Sequence, residues 1–116
     1  MSATERVQKG LDSDPPDWST VSLKDIRHCI KTKIGQFRKL RRYRDKPEGR
    51  AETQSIAEDL KRLFPALAQK YAERGPGDLK DEIKDLEEKM AEPDRINPFD
   101  DVYLTALRAQ REKHEP

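Results

Sequence analysis

Leu23, Ile26, Ile30, Ile34 and Phe37 follow one another at steps of three and four residues, the interval that lines side chains along one face of an α-helix. This spacing predicts a helix over about 22–45. Ser22 stands at its N-cap position with Asp25 three residues on, a capping-box arrangement with Asp in place of Glu. Lys24, Arg27, Lys31, Arg38 and Arg42 form a second stripe beside the apolar one. Arg41 and Arg44 occupy the positions the apolar stripe would reach next, so the helix is expected to bury a face early and to end basic nearly all round.

Pro47 and Gly49 in "DKPEGR" are expected to end that helix, because the residue before proline avoids helical geometry and glycine turns easily. A second apolar face follows, with Ile56, Leu60, Leu63, Phe64, Leu67 and Tyr71, and predicts a helix over 51–74. Pro65 falls inside it, and an interior proline costs about 3 kcal/mol unless the helix bends. A kink or break is therefore expected there. "RGPGD", residues 74 to 78, reads as a firm stop.

Leu79, Ile83, Leu86 and Met90 define a narrow seam over 78–91, with Asp and Glu covering most of the rest. A coiled-coil-like seam of this kind needs a partner helix, and these four residues are candidates for association. "INPFDD" then opens a helix over 98–112, with Asn97 as N-cap, Pro98 at the first position, and Asp100 and Asp101 at the positive end of the dipole. Val102, Tyr103, Ala106 and Leu107 line it. Residues 1–20 read as a flexible arm, since Pro15 and Pro16 favour extended backbone, with Trp18 folding back on the helix that follows. The pattern predicts an all-α fold, a small bundle of about four helices in a single domain over 21–113.

Composition agrees with this reading. Leu, Ile, Val and Phe make up only 22 of 116 residues, which implies a thin core. The net charge of +1 argues against the charge-driven disorder that so polar a chain would otherwise suggest. Ala, Glu, Lys, Leu and Arg supply 54 residues, a proportion typical of helical chains. A single cysteine, Cys29, and an N-terminus without an apolar run predict an intracellular chain, cytoplasmic or nuclear. No stretch is apolar enough to span a membrane.

The near-neutral total conceals two halves of opposite sign. Residues 23–50 carry eleven Lys or Arg against three Asp or Glu, and residues 73–101 carry five against eleven. Such a split bears on partners rather than on fold.

Chemistry-bearing groups are sparse. His28 and His114 lie far apart in sequence, and Cys29 and His28, as helical neighbours, point about 100° apart. No glycine-rich phosphate loop and no short-spaced pair of metal ligands occurs. Carboxylate pairs such as Asp81 with Asp85, or Glu87 with Glu88, are expected to be solvated on so polar a helix. The sequence therefore predicts a protein that is not an enzyme, with no metal, no cofactor and no small-molecule substrate.

What remains is "FRKLRRYRDK", residues 37–46, with six basic side chains in ten positions. Lys31, Arg38, Lys39, Arg41, Arg42, Tyr43 and Arg44 form the candidate binding surface. The expected function is a small protein–protein interaction or assembly module, joined through its amphipathic helices to another chain or to a homo-oligomer, that offers the basic helix to an acidic partner. The alternative is sequence-nonspecific RNA or DNA binding through the basic helix, 24–46, by neutralising phosphates.

Overall fold

Helical periodicity governs the whole of the described chain. The computed structural model describes residues 2–14, 16–40, 46–95 and 97–114. Among them the elements run α1 (Ala3–Asp12), α2 (Leu23–Leu40), α3 (Pro47–Arg74), α4 (Pro76–Met90), a 3-10 turn (Pro93–Arg95) and α5 (Asp100–His114), with no strand. The all-α expectation holds. Two compact units divide the chain, Met1–Leu63 and Phe64–Pro116, so that α3 contributes to both.

In the first unit the expected arm is instead a helix. Ser2 caps α1, its hydroxyl accepting from the Glu5 N–H at 3.2 Å, and Val7 and Leu11 are buried. Ten residues make a marginal helix in isolation, so α1 takes its stability from packing on α2. The Arg6 guanidinium adds a two-pronged ion pair, donating from Nε to Asp25 Oδ2 at 3.0 Å and from Nη2 to Oδ1 at 3.2 Å. Pro16 lies in irregular backbone after α1 has ended, and Pro15 lies outside the described residues. The chain then returns over the helix. The Asp17 N–H donates to the Gly10 carbonyl, and the Trp18 ring lies over Gly10, close enough that a Cβ there would meet it at 3.1 Å.

Ser22 caps α2 as expected, its Oγ accepting from the Asp25 N–H at 3.1 Å. Ile26, Cys29 and Ile30 are buried, while Leu23, Ile34, Phe37 and Leu40 are half-buried. A further tie runs from Lys33 Nζ to Asp59 Oδ2 of α3, at 3.0 Å. α3 starts earlier than the expected residue 51. Pro47 opens it, because a proline at the first helical position surrenders an N–H that would be unpaired anyway, and the Arg50 N–H bonds to the Lys46 carbonyl. Helical structure then continues through Pro65, so no break forms; the boundary between the two units falls just before it, at Leu63 and Phe64.

The second unit packs α4 against α5. Gly75 makes the sharp junction between α3 and α4 at φ 134°, a backbone region that side-chain-bearing residues avoid. Leu79, Ile83, Leu86, Tyr103, Leu104 and Leu107 are buried, with Phe64 seated between aromatic neighbours: its ring centroid lies 5.0 Å from Tyr103 and 6.3 Å from Phe99. Asn97 caps the approach to α5 as expected, its side-chain oxygen accepting from the Phe99 N–H at 2.8 Å. Asp100 completes the arrangement by accepting from the Asn97 N–H at 2.9 Å, and its other oxygen takes Lys89 Nζ at 3.2 Å.

Candidate functional site

α2 sorts its cations by side. Lys33 is on the inner side and paired with Asp59, whereas Lys24, Arg27, Lys31, Arg38 and Lys39 are exposed. The sorting follows from the sequence, since at 100° per residue positions 24, 27, 31 and 38 fall within one quadrant, away from Ile26, Cys29 and Ile30. Asp25, the lone acid of α2, is engaged by Arg6. From Lys24 to Arg38 the row spans about 21 Å at the helical rise. Among the described residues, Lys24, Lys31, Arg38 and Lys39 have no carboxylate within ion-pair distance.

Three members of the candidate surface, Lys31, Arg38 and Lys39, thus lie exposed on α2. The other four, Arg41, Arg42, Tyr43 and Arg44, lie outside the described residues. Two contributors belong to the row although the basic run does not include them: Arg27 and Lys24, about one and two turns before Lys31. Gly35 also lies on this face, and the space above it is open, with nothing within 4 Å of where a Cβ would stand. Lys39 edges a groove of about 450 Å³ lined by Gln36, Leu40, Glu52, Ser55 and Ile56. Only the apolar stripe of α2, half-exposed in its last turns, hinted at that groove in the sequence.

The association seam has a different fate. Leu79, Ile83 and Leu86 are buried and Met90 is half-buried, in the unit where α4 packs on α5. The expected partner helix is therefore supplied by the chain itself, and the seam is not an open surface for another chain. The sequence showed that this stripe must be covered; periodicity carries no information on what covers it. On the opposite side of α4, Asp81, Asp85 and Glu88 are exposed. A second uncovered region was missed. Pro65, Val102, Ala106 and Ala109 border a groove of about 570 Å³ with Asp101 and Lys113 at its ends, and small side chains on an outward helix face give little signal in a hydrophobic pattern.

Among the described residues, reactive groups do not converge. Cys29 is a buried free thiol; burial pushes its pKa up, the Asp59 carboxylate adds to this, and the Lys33 ammonium opposes it. His28 is exposed. No set of three or more His, Cys, Asp or Glu among the described residues is arranged to hold a metal ion, and none of the described helices is long and apolar enough to cross a membrane.

The fold and this face define a small all-α chain with a cationic helix surface. Comparison with protein families, curated proteins and solved structures finds no match for it.

Proposed function

We propose that this chain is a small non-enzymatic interaction module that docks the outward face of α2 onto an acidic protein. The observation that carries this reading is the row of Lys24, Lys31 and Arg38, exposed and without ion-pair partners among the described residues. Ordinary surface cations interleave with acids; among the described residues this face contains none. A cationic row attracts a polyanion over a Debye length and speeds encounter more than it strengthens the final complex.

Two features favour protein over nucleic acid as the polyanion. The described part of the face offers no exposed aromatic side chain on which a base could stack, Phe37 being half-buried. The groove beside Lys39, with Leu40 and Ile56 in its lining, can receive an apolar side chain of a protein partner.

The test is binding of fluorescent poly-glutamate and of single-stranded RNA at about 50 and 200 mM salt, with wild type and Lys24→Glu/Lys31→Glu/Arg38→Glu. Salt-sensitive poly-glutamate binding, lost in the triple variant, is expected. Tight RNA binding with a steep salt slope and no poly-glutamate binding would replace this reading with the nucleic-acid one. Equal binding by both proteins would remove α2 as a docking face.

A further inference from the structure

Resting on that reading of α2, we propose that its acidic partner is α4 of a second copy of the same chain. The two helices present complementary rows with the same repeat. On α2 the exposed cations Lys24, Lys31 and Arg38 recur every seven residues; on α4 the exposed acids Asp81 and Glu88 are also seven apart, with Asp85 between them. Seven residues are nearly two helical turns, about 10.5 Å of rise, so each row runs straight along its helix with little drift. Asp81 and Glu88 can therefore meet two successive cations of α2 at once, in either chain direction.

One register is favoured by the backbone of α2. Gly35 lies between Lys31 and Arg38 with open space above it, so the middle acid, Asp85, can approach the helix there without displacing a side chain. Lys31 and Arg38 then face the two outer acids, Asp81 and Glu88. Each row lies opposite its own helix's buried stripe: Ile26, Cys29 and Ile30 on α2, and Leu79, Ile83 and Leu86 on α4. Docking between copies consequently leaves both cores undisturbed.

Within one chain none of these six charges is satisfied by an ion pair among the described residues. The division of the sequence into a basic and an acidic half then has a use: each copy carries one face of each sign. Such contacts are heterologous, α2 of one copy on α4 of the next, so they propagate head to tail unless the geometry closes a ring. Exposed ion pairs are individually weak and screened by salt. Assembly is accordingly expected at high protein concentration and low ionic strength.

Sedimentation equilibrium of the full chain tests this, using wild type, Lys31→Glu/Arg38→Glu, and Asp81→Lys/Glu88→Lys. At about 10 mM salt, where the Debye length is about 30 Å, the wild-type average mass should rise with concentration to at least about twice the 13.5 kDa monomer. It should return to the monomer value at about 1 M salt, where screening acts within about 3 Å. Each double variant alone should remain monomeric, because its two faces now carry the same sign. An equimolar mixture of the variants should assemble again, since each supplies the face the other needs; this recovery also shows that both variants are folded. A monomeric wild type at low salt, or undiminished assembly by either variant alone, would overturn the proposal. Poly-glutamate binding serves as the separating control: a monomeric wild type that still binds the polymer through α2 loses the second-copy assignment and keeps the docking face.

Discussion

The α1–α2 pair and the α4–α5 pair are both neighbouring helices joined by short links, residues 13–22 in one and 91–99 in the other, yet their polar ties differ in how far the carboxylate is buried. Arg6 and Asp25 join the first pair with side chains 39% and 15% exposed. In the second, the Asp100 side chain is 3% exposed and shared between Lys89 and the Asn97 N–H. An exposed ion pair exchanges one set of solvated partners for another and contributes little. A buried carboxylate has given up its water, so removing it strands the donors that replaced that water. Contacts of the same chemical kind should therefore differ sharply in what their loss costs.

Apolar packing sets the scale against which both ties are judged. Leu107, fully buried in α5, should lose about 2–5 kcal/mol as Leu107→Ala, read by denaturant unfolding. A loss well below that would show that the second unit collapses readily around a cavity. Asp100→Ala comes next, at about 1–3 kcal/mol, because it strands the Asn97 N–H and removes the partner of Lys89. Lys89 is partly exposed and can turn to water, which keeps the figure below that for a fully enclosed pair. If Asp100→Ala were no worse than Arg6→Ala, the contrast between the two helix pairs would collapse.

Gly10→Ala probes the first pair without touching its ion pair. Alanine normally steadies a helix interior relative to glycine by about 0.5–1 kcal/mol. Here its Cβ would stand 2.6 Å from the Asp17 carbonyl oxygen, a backbone atom that cannot simply rotate away. Overpacking of this sort costs about 1–3 kcal/mol, so the net effect should be destabilising by about 1 kcal/mol. Trp18 fluorescence should shift to the red as the ring is displaced. A more stable variant with unchanged emission would show that residues 13–22 yield freely.

The contrast also marks where the sequence was readable. The second pair announced itself: the stripe of α4 and the Asn97 cap each used a strong local signal, although α5 begins at Asp100 rather than at the expected Pro98. α1 did not, because Val7 and Leu11 are its only large apolar residues and two positions one turn apart cannot establish a period. Its helix depends on α2 and Trp18, which are distant contacts. Pro47 shows a different ambiguity, since one proline serves equally to stop a helix and to start one. On the candidate face, Lys31, Arg38 and Lys39 were legible as exposed cations, while the open space over Gly35 and the groove beside Lys39 required coordinates. The covering of Leu79, Ile83 and Leu86 by their own chain was legible only as a need.

The smallest expected effect isolates the exposed tie by pH. Hydrogen bonding from Arg6 holds the Asp25 carboxyl below the usual carboxylate range, with their charge attraction adding to it against partial burial. A group whose pKa is depressed by folding contributes stability above its unfolded value, about 3.9 for aspartate, and that contribution fades as pH falls through the lower folded value. Wild type should therefore melt slightly above Asp25→Asn at pH 7 and at pH 5, by nearly the same margin. Below about pH 4 the margin should close, because the wild-type side chain becomes neutral like its replacement. All other carboxylates titrate in both proteins, so the difference in melting temperature reads this one site. A margin that persisted undiminished at pH 2 would mean that Asp25 acts through its shape as an acceptor rather than through its charge, and the first pair would then be held by packing and hydrogen-bond geometry alone.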